Sequence, residues 1–378
     1  MQWIWEKTDW PNFIFDEKLF TDRNNEFHLS SERLSGRVEA LAIDDQKDAL
    51  IDLMLSEAIK TSAIEGEFLD RESVRSSLLS LISTDALPAS SDQKAAGAAA
   101  LLVNVRKNWS TPLSHDLLGR WQTMAIPEQR TSLIMRGQYR NDPSPMQIVS
   151  GSYGNHRVHY EAPPATQITR EMEKFIIWYN QSSPLNNEQA LAGPVRAGIA
   201  HVWFENIHPF DDGNGRVGRA IADHALSQGL GYPTTACLAT AIESNKKEYY
   251  SQLEQVGRGD MNINRWLVYF TDAVNLAQSI AREEVDFVLR KTRFYEKFSN
   301  HLNERQAKAV ARIFAEGRKG FKGGMSTKKY MSITKCANRT ASRDLADLLK
   351  KGIVTGLPGS GRSTRYELTT VKSRSLLD

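Results

Sequence analysis

Residues 201–226 read HVWFENIHPFDDGNGRVGRAIADHAL, two apolar stretches joined by a short polar connection. The periodicity predicts a helix over 187–206, apolar enough to lie buried at the centre of a bundle, and a second helix over 217–229. Pro209 helps to end the first helix, and the glycine and asparagine residues at 213–215 tolerate a positive φ. The stretch therefore predicts two packed helices that are joined by a tight turn.

The polar turn has the composition of a phosphate-binding site. A glycine-lined turn that leads into a helix presents unpaired amides, and the helix dipole favours an anion there. Arg216 and Arg219 lie three positions apart on one helical face, and two guanidinium groups suit an oligophosphate. Phosphate would repel Asp212 unless a bridging Mg²⁺ lay between them. His208, with an ordinary pKa of ~6.5, suits a general base that deprotonates a hydroxyl attacking phosphorus.

Composition indicates an ordinary globular protein. The chain has 378 residues, 25% of them charged and 40% hydrophobic, which leaves room for two or three domains. No apolar run of ~18 residues is present, so we expect no membrane span. The opening MQWIWEKTDWPNF lacks the basic start and apolar core of a signal peptide, which predicts a cytoplasmic protein. Cys237 and Cys336 lie far apart, without a metal or redox spacing.

Charge is unevenly distributed along the chain. Residues 301–378 hold 17 Lys and Arg against 6 Asp and Glu, whereas the rest holds 31 against 39. This asymmetry indicates separate domains with different partners. The last ~75 residues read as a helix, a helix–turn–helix and a hairpin, the order of a winged-helix domain. Its basic residues could neutralise DNA phosphates, but a protein-docking module or a solvated charged face fits equally.

Most of the chain has helical periodicity. Two short strands are expected at 147–150 and 157–160, with a turn between them. Gly66 should end the helix that precedes it. The other predicted helices are 46–65, 70–83, 91–108, 113–125, 165–181, 244–257 and 261–291.

Residues 208–219, HPFDDGNGRVGR, resemble the signature of the Fic family, HxFx(D/E)GNGRxxR, at every specified position. The resemblance implies a mainly α fold: a Fic-type helical bundle with a β-hairpin flap, plus a C-terminal winged-helix domain. The implied domains are an N-terminal helical domain at 1–90, a catalytic core at 91–291 and the winged helix at 292–378. The implied activity is Mg²⁺-dependent transfer of AMP from ATP to a Ser, Thr or Tyr hydroxyl of a target protein, including the chain itself.

The resemblance also implies roles for single residues. His208 would be the catalytic base, Asp212 the Mg²⁺ ligand and Arg219 the ligand of the γ-phosphate. A target protein would bind through the flap, and a homodimer is expected. The implied nucleotide contacts are Glu65, Ile148, Val149, Ser150, Gly151, Gly213, Asn214, Gly215, Arg216, Val217, Gly218, Arg219 and Tyr249. Tyr249 fits core packing equally well, and position 257, often asparagine in the family, is glycine.

A second motif is similar to the family's inhibitory pattern, (S/T)xxxE(G/N). Residues 61–66 read TSAIEG. The similarity implies that Glu65 pairs with Arg219 and leaves ATP in an unproductive pose, although a solvated helix-end glutamate is the plainer alternative. Two other functions stay open: a DNA-binding regulator that senses nucleotide, and removal of AMP from modified proteins by the same site.

Overall fold

The computed structural model describes residues 2–86, 92–126, 135–152, 155–185, 190–317, 320–358 and 364–369. The chain forms two compact units, Met1–Glu39 with Leu50–Arg282 and Ala40–Ala49 with Glu283–Asp378. Helices dominate both units, which confirms the predicted fold class. Residues of the predicted N-terminal domain and of the predicted core lie in the same unit. The boundaries of the three domains stay a prediction.

The described residues of the first unit form mainly helices and one hairpin. Its antiparallel strands are β1 (Gln147–Ser152) and β2 (Asn155–Glu161). Among the described residues, no helix combines the length and the apolar content that crossing a membrane requires. The helices with residues in this unit are α1 (Thr21–Glu39), α2 (Ile43–Ile64), α3 (Arg71–Thr84), α4 (Gln93–Lys107), α5 (His115–Ala125), α6 (Ala165–Gln181), α7 (Gly193–Ile207), α8 (Asn214–Leu230), α9 (Leu238–Ser244), α10 (Lys246–Arg258) and α11 (Asn264–Phe298).

Several helices differ from the sequence prediction: α7 starts at Gly193 and not at 187, and α11 continues to Phe298 and does not end at 291. Helix α1 was not predicted, although its buried residues recur at helical spacing. Helix α8 starts three residues early, because Gly213 adopts a φ of +88° and caps it within the turn. Helix α9 was also not predicted, and the helix predicted at 244–257 corresponds to α10, which begins after Asn245 leaves the helical region with a φ of −138°.

Helix α7 is the centre of the first unit, as its apolar sequence predicted. All of its residues are buried, and α8 packs along it. The two backbones approach closely where Gly193 faces Gly229: a Cβ on Gly229 would lie 2.8 Å from the Gly193 Cα. Close packing of this kind fixes the two helices against each other.

The second unit has its own hydrophobic core, which gathers aromatic and aliphatic residues between Phe294 and Leu368. Its elements follow the order helix, helix, helix, hairpin, which agrees with the predicted order. The identification as a winged helix stays a prediction. These elements are α12 (Glu304–Phe314), α13 (Thr327–Thr334), α14 (Asn338–Lys350), β3 (Val354–Gly356) and β4 (Tyr366–Leu368).

Candidate active site

Hydrogen bonds from one of its own side chains close the turn between α7 and α8. His208 ends α7 in the left-handed region, with φ 50° and ψ 59°, and Pro209 follows it. The Asn214 side chain accepts the Phe210 amide at 3.0 Å and donates to the Phe210 carbonyl at 2.7 Å. The Asn214 amide group is therefore committed to closing the turn. Only its backbone N–H remains for the predicted role at an anion.

The first turn of α8 supplies the predicted anion-binding amides. Its first backbone bond joins the Val217 N–H to the Gly213 carbonyl at 3.0 Å, so the amides of residues 214–216 precede that bond. The Asp212 Oδ1 accepts the Gly213 amide at 2.6 Å, and its side chain is 35% exposed. One carboxylate suits Mg²⁺, which also takes phosphate oxygens and water. Among the described residues no three or more potential metal-ligating side chains gather, so the ion would depend on phosphate ligands.

The imidazole of His208 is in the form that a base requires. Its Nδ1 lies 3.3 Å from the Glu205 carbonyl, which assigns the ring hydrogen to Nδ1 and leaves the lone pair on Nε2. Burial, helped by the nearby Arg140 guanidinium, lowers the pKa of His208 to about 4. Arg140 also donates to the His208 carbonyl at 2.9 Å. The ring is therefore neutral at pH 7.

Arg219 is held by the end of α2, where the sequence placed the inhibitory motif. Its Nη2 lies 2.7 Å from the Glu65 Oε1 and 3.0 Å from the Thr61 carbonyl, and its Nε donates to the Thr61 hydroxyl at 2.8 Å. The Arg219 side chain is only 4% exposed. Burial opposes ionisation of Glu65, but Arg219 outweighs it and holds the pKa of Glu65 below its usual value. Gly66 ends this segment with a φ of +79°, as predicted.

The neighbouring Arg216 has an acidic partner that the sequence analysis missed. Its Nη1 donates to the Glu67 Oε2 at 2.8 Å, and both side chains are nearly buried. Lys94 on α4 lies 3.2 Å from the other oxygen of Glu67. The segment after α2 therefore places a carboxylate on each of the two arginines of the motif. The one sequence signal for this role of Glu67 is its position, two residues after Glu65.

Helix α2 is docked on α9 by polar contacts that the sequence did not reveal. The Glu57 carboxylate accepts the amides of Ala239 and Thr240 at the start of α9. Lys60 pairs with Glu243 at 2.9 Å. A carboxylate at a helix N-terminus satisfies unpaired amides and is favoured by the helix dipole. These contacts hold the segment that carries Glu65 against the first unit.

A cavity of about 690 Å³ brings many of the predicted residues together. The other predicted residues are not among the residues that line this cavity. They lie in the turn and on α8, and one of them, Gly151, lies on β1. Val217 is fully buried, and a side chain on Gly218 would collide with the Glu205 carboxyl. The predicted residues that line the cavity are Glu65, Ile148, Val149, Ser150, His208, Gly215 and Tyr249.

Tyr249 forms part of the cavity wall but is only 1% exposed. Its hydroxyl lies 2.8 Å from the His201 Nε2, a contact that the sequence analysis missed. The next residue, Tyr250, is 41% exposed, also lines the cavity and donates to the Ile64 carbonyl at 3.1 Å. The nucleobase of a bound nucleotide could therefore stack more readily on Tyr250 than on Tyr249. The role of Tyr249 in nucleotide binding stays a prediction.

The glycine at position 257 makes room for the hairpin. A Cβ there would lie 2.6 Å from the Tyr160 ring and 3.3 Å from the Asn206 side chain. The Tyr160 hydroxyl donates to the Asn206 carbonyl at 2.6 Å. An asparagine at 257 would displace this ring, so the packing of β2 on α10 requires a residue as small as glycine here.

The hairpin is present as predicted, and polar contacts attach it to α10. Arg258 donates to the carbonyls of Val158 and His159, at 2.7 and 3.2 Å. Ile148 and Val149 on β1 are 40% and 50% exposed. The hairpin thus presents apolar side chains at the cavity while its second strand is anchored.

Parts of the chain are similar to known protein families. Residues 112–226 match the Fic/DOC family, and residues 3–82 match a domain of unknown function, DUF4172. The protein adenylyltransferase Fic of Culex quinquefasciatus is 38% identical over 79 residues, 20% of this chain and 15% of that protein. The uridine 5′-monophosphate transferase of Xanthomonas campestris is 26% identical over 147 residues, 37% of this chain and 26% of that protein. The chain thus spans about a quarter or less of each of these curated relatives.

A solved structure resembles nearly the whole chain. A Fic family protein from Desulfovibrio desulfuricans superposes with a TM-score of 0.50 and 20% identity, over 94% of this chain and 98% of the other. At that identity the likeness bears on the fold. It agrees with the helical architecture described above.

Proposed function

Since the chain carries a Fic/DOC family domain, we propose that it transfers AMP from ATP to a hydroxyl side chain of a protein, with Mg²⁺. The observation that carries the proposal is the neutral His208, whose Nε2 lone pair is free of the Glu205 carbonyl and borders the same cavity as Gly215 at the start of α8. A base and an anion-binding helix terminus on one cavity are the two elements that nucleotidyl transfer requires.

His208 would remove the proton from the incoming hydroxyl at Nε2. The Glu205 carbonyl holds Nδ1–H and prevents the ring from presenting the wrong nitrogen. The amides of residues 214–216 would bind the phosphates and stabilise charge on the nonbridging oxygens. Bound at Asp212, Mg²⁺ would neutralise phosphate charge. Attack in line with the leaving pyrophosphate gives a nucleotidyl adduct on the acceptor.

The target protein would lie along the hairpin. Ile148 and Val149 are exposed on β1, and an extended segment added beside a strand binds through its main chain with little demand on sequence. Serine, threonine and tyrosine all carry a hydroxyl that could reach His208 from such a segment. Whether the chain acts as a homodimer stays a prediction.

Mass spectrometry after incubation with Mg²⁺ and ATP tests the proposal. A nucleotidyl adduct that needs both components supports it. A parallel incubation with UTP is informative because one relative is a uridine 5′-monophosphate transferase. Adducts with UTP alone would replace AMP by UMP in the proposal, and no adduct with either nucleotide, on this chain or on lysate proteins, would refute it.

The pH dependence should be flat near neutrality. His208 acts in its neutral form, and burial lowers its pKa to about 4, so the base is already unprotonated at pH 5.5. We expect kcat at saturating MgATP to vary less than about threefold between pH 5.5 and 8 and to fall as the pH drops towards 4. Initial rates of label incorporation measure this. A sigmoidal rise centred near pH 6.5 would show that the base is an unperturbed histidine.

Glu65 is proposed to inhibit the transfer. A γ-phosphate cannot pair with Arg219 while its Nη2 is held by the Glu65 carboxylate at 2.7 Å. Glu67 would also inhibit the transfer, because it occupies Arg216. Both arginines would have to leave these carboxylates before they bind phosphate, and the two contacts therefore support inhibition by this segment.

Removal of AMP from a modified protein is the alternative for the same site. Glu65 is partly exposed to the cavity that His208 lines, with a side chain that is 29% exposed, so a water between them could attack an adduct. Incubation of a purified adduct with the chain and Mg²⁺, without ATP, distinguishes the two reactions.

DNA binding by residues 301–378 is a second proposal, carried by the charge of this segment. Lys335, Arg339 and Arg343 are exposed beside and on α14. Because neutralised phosphates release counterions, log Kd should rise linearly with log salt, by about 0.9 for each phosphate contacted. A gel-shift titration from roughly 25 to 200 mM salt measures this slope. Absence of a shift at the lowest salt would exclude the proposal.

A further inference from the structure

The hydroxyl of Ser150, on the cavity wall, is hydrogen-bonded to His159 and not to the proposed catalytic base His208. The Ser150 Oγ lies 2.6 Å from the His159 Nε2, and the His159 Nδ1 lies 3.0 Å from the Glu254 Oε2. A carboxylate that holds Nδ1–H makes Nε2 the acceptor for the serine proton. A nucleophile, a base and an orienting acid within hydrogen-bond reach are the arrangement that activates a hydroxyl.

A β-bulge produces this alignment. Ile148 pairs with Tyr160 and Val149 pairs with Val158, so His159 is the extra residue of β2. A bulge redirects the side chain of the extra residue, and bulges are frequent beside active sites. Without the bulge, His159 would follow the regular alternation of the strand.

Glu254 is fixed in place by further donors. Arg157 on β2 donates to its Oε1 at 2.8 Å, and Arg258, one turn along α10, lies 3.3 Å from the same oxygen. Arg258 in turn binds two carbonyls of β2. The orienting acid therefore belongs to a network that joins the hairpin to α10, and its position does not depend on a bound ligand.

Ser150, His159 and Glu254 all line the cavity that His208 and Glu65 line. We propose that Ser150 is an acceptor of the transferred nucleotidyl group, a self-modification site on the hairpin with His159 as its base. This inference rests on the proposed function, which supplies the nucleotide. The proposed function names no acceptor on the chain itself, and this inference names Ser150 as that acceptor.

The step is a substitution at the α-phosphorus of ATP. The Ser150 Oγ forms a bond to that phosphorus, and the bond from phosphorus to the α,β-bridging oxygen breaks, so pyrophosphate leaves. The serine proton passes to the His159 Nε2 and from there to solvent. His208 is not needed for this proton, because the relay has its own base.

Peptide mapping of the full-length chain tests the assignment. Wild type and Glu65→Gly are incubated with Mg²⁺ and ATP, digested with trypsin and sequenced by tandem mass spectrometry. Cleavage after Arg140 and Arg157 releases a fragment in which Ser144 and Ser152 are neighbouring hydroxyls for comparison. We expect the adduct on Ser150. In His159→Gln, the occupancy of Ser150, measured relative to adducts on other residues, should be at least about tenfold lower than in the parent protein. Arg157→Lys, which keeps the tryptic site and a cation beside Glu254, should stay within about twofold.

Each outcome has a defined meaning. Adducts on other residues but none on Ser150 overturn the assignment and leave the proposed function standing. Equal occupancy of Ser150 in His159→Gln overturns the role of the relay. An absence of adducts on the whole chain overturns the assignment, and label transfer to proteins of a cell lysate then decides the proposed function independently.

Discussion

Replacing His208 with alanine is expected to lower nucleotidyl transfer to a target protein by about 10²- to 10⁴-fold, the contribution of a positioned general base. The ring is neutral, its Nδ1 is held by the Glu205 carbonyl and its Nε2 is the remaining basic nitrogen. Alanine removes that nitrogen and leaves the amides at the start of α8 in place. ATP binding should therefore change little, and the loss should appear in kcat.

Transfer of label from ATP to proteins of a cell lysate measures the effect, with ATP affinity determined separately. His115→Ala is a matched control, because it removes an exposed imidazole on α5 that lies outside the cavity lining. Thermal unfolding of both variants separates a loss of chemistry from a loss of fold. A His208→Ala protein with normal stability and a rate within threefold of wild type would disprove the assignment of the base.

Replacing Glu65 with glycine is expected to raise the transfer rate by about 10- to 100-fold. A hydrogen bond to a charged group contributes about 1.5–3 kcal/mol, and losing it at Glu65 would free Arg219 for phosphate. The pair is 2.7 Å long, with Arg219 nearly buried, so solvent screens it only partly. Without the carboxylate, Arg219 keeps its contacts to Thr61, and the Nη2 hydrogen that Glu65 accepted becomes available to the γ-phosphate.

Total self-labelling, measured as initial rates at several ATP concentrations, reports this release. Glu243→Gln is the matched control, since it weakens another contact of the same helix, the pair with Lys60, without touching Arg219. If both variants accelerate labelling equally, loosening of α2 and not release of Arg219 is the cause. If neither does, the Glu65 contact is structural, and Glu67 on Arg216 becomes the remaining inhibitory contact to examine.

Much of the candidate site could be read from the sequence because its determinants are local. His208, Pro209 and the glycines of the turn lie within eight residues, so their spacing alone predicts a helix end, a turn and a helix start. Gly66 and the hairpin at 147–160 follow the same rule, since a positive φ or a two-residue alternation is a property of neighbouring residues. The inhibitory contact spans a long separation and was predicted only through the resemblance of residues 61–66.

The sequence by itself determined the helical fold, the turn and the residue types that face a phosphate. Only the tertiary structure decided their chemical states and their partners. The Glu205 carbonyl and burial set the tautomer and pKa of His208, and Glu67 reaches Arg216 across 149 residues. The physical reason is that backbone preference depends on adjacent residues, whereas desolvation, ion pairing and proton position depend on whichever groups packing brings within a few ångströms.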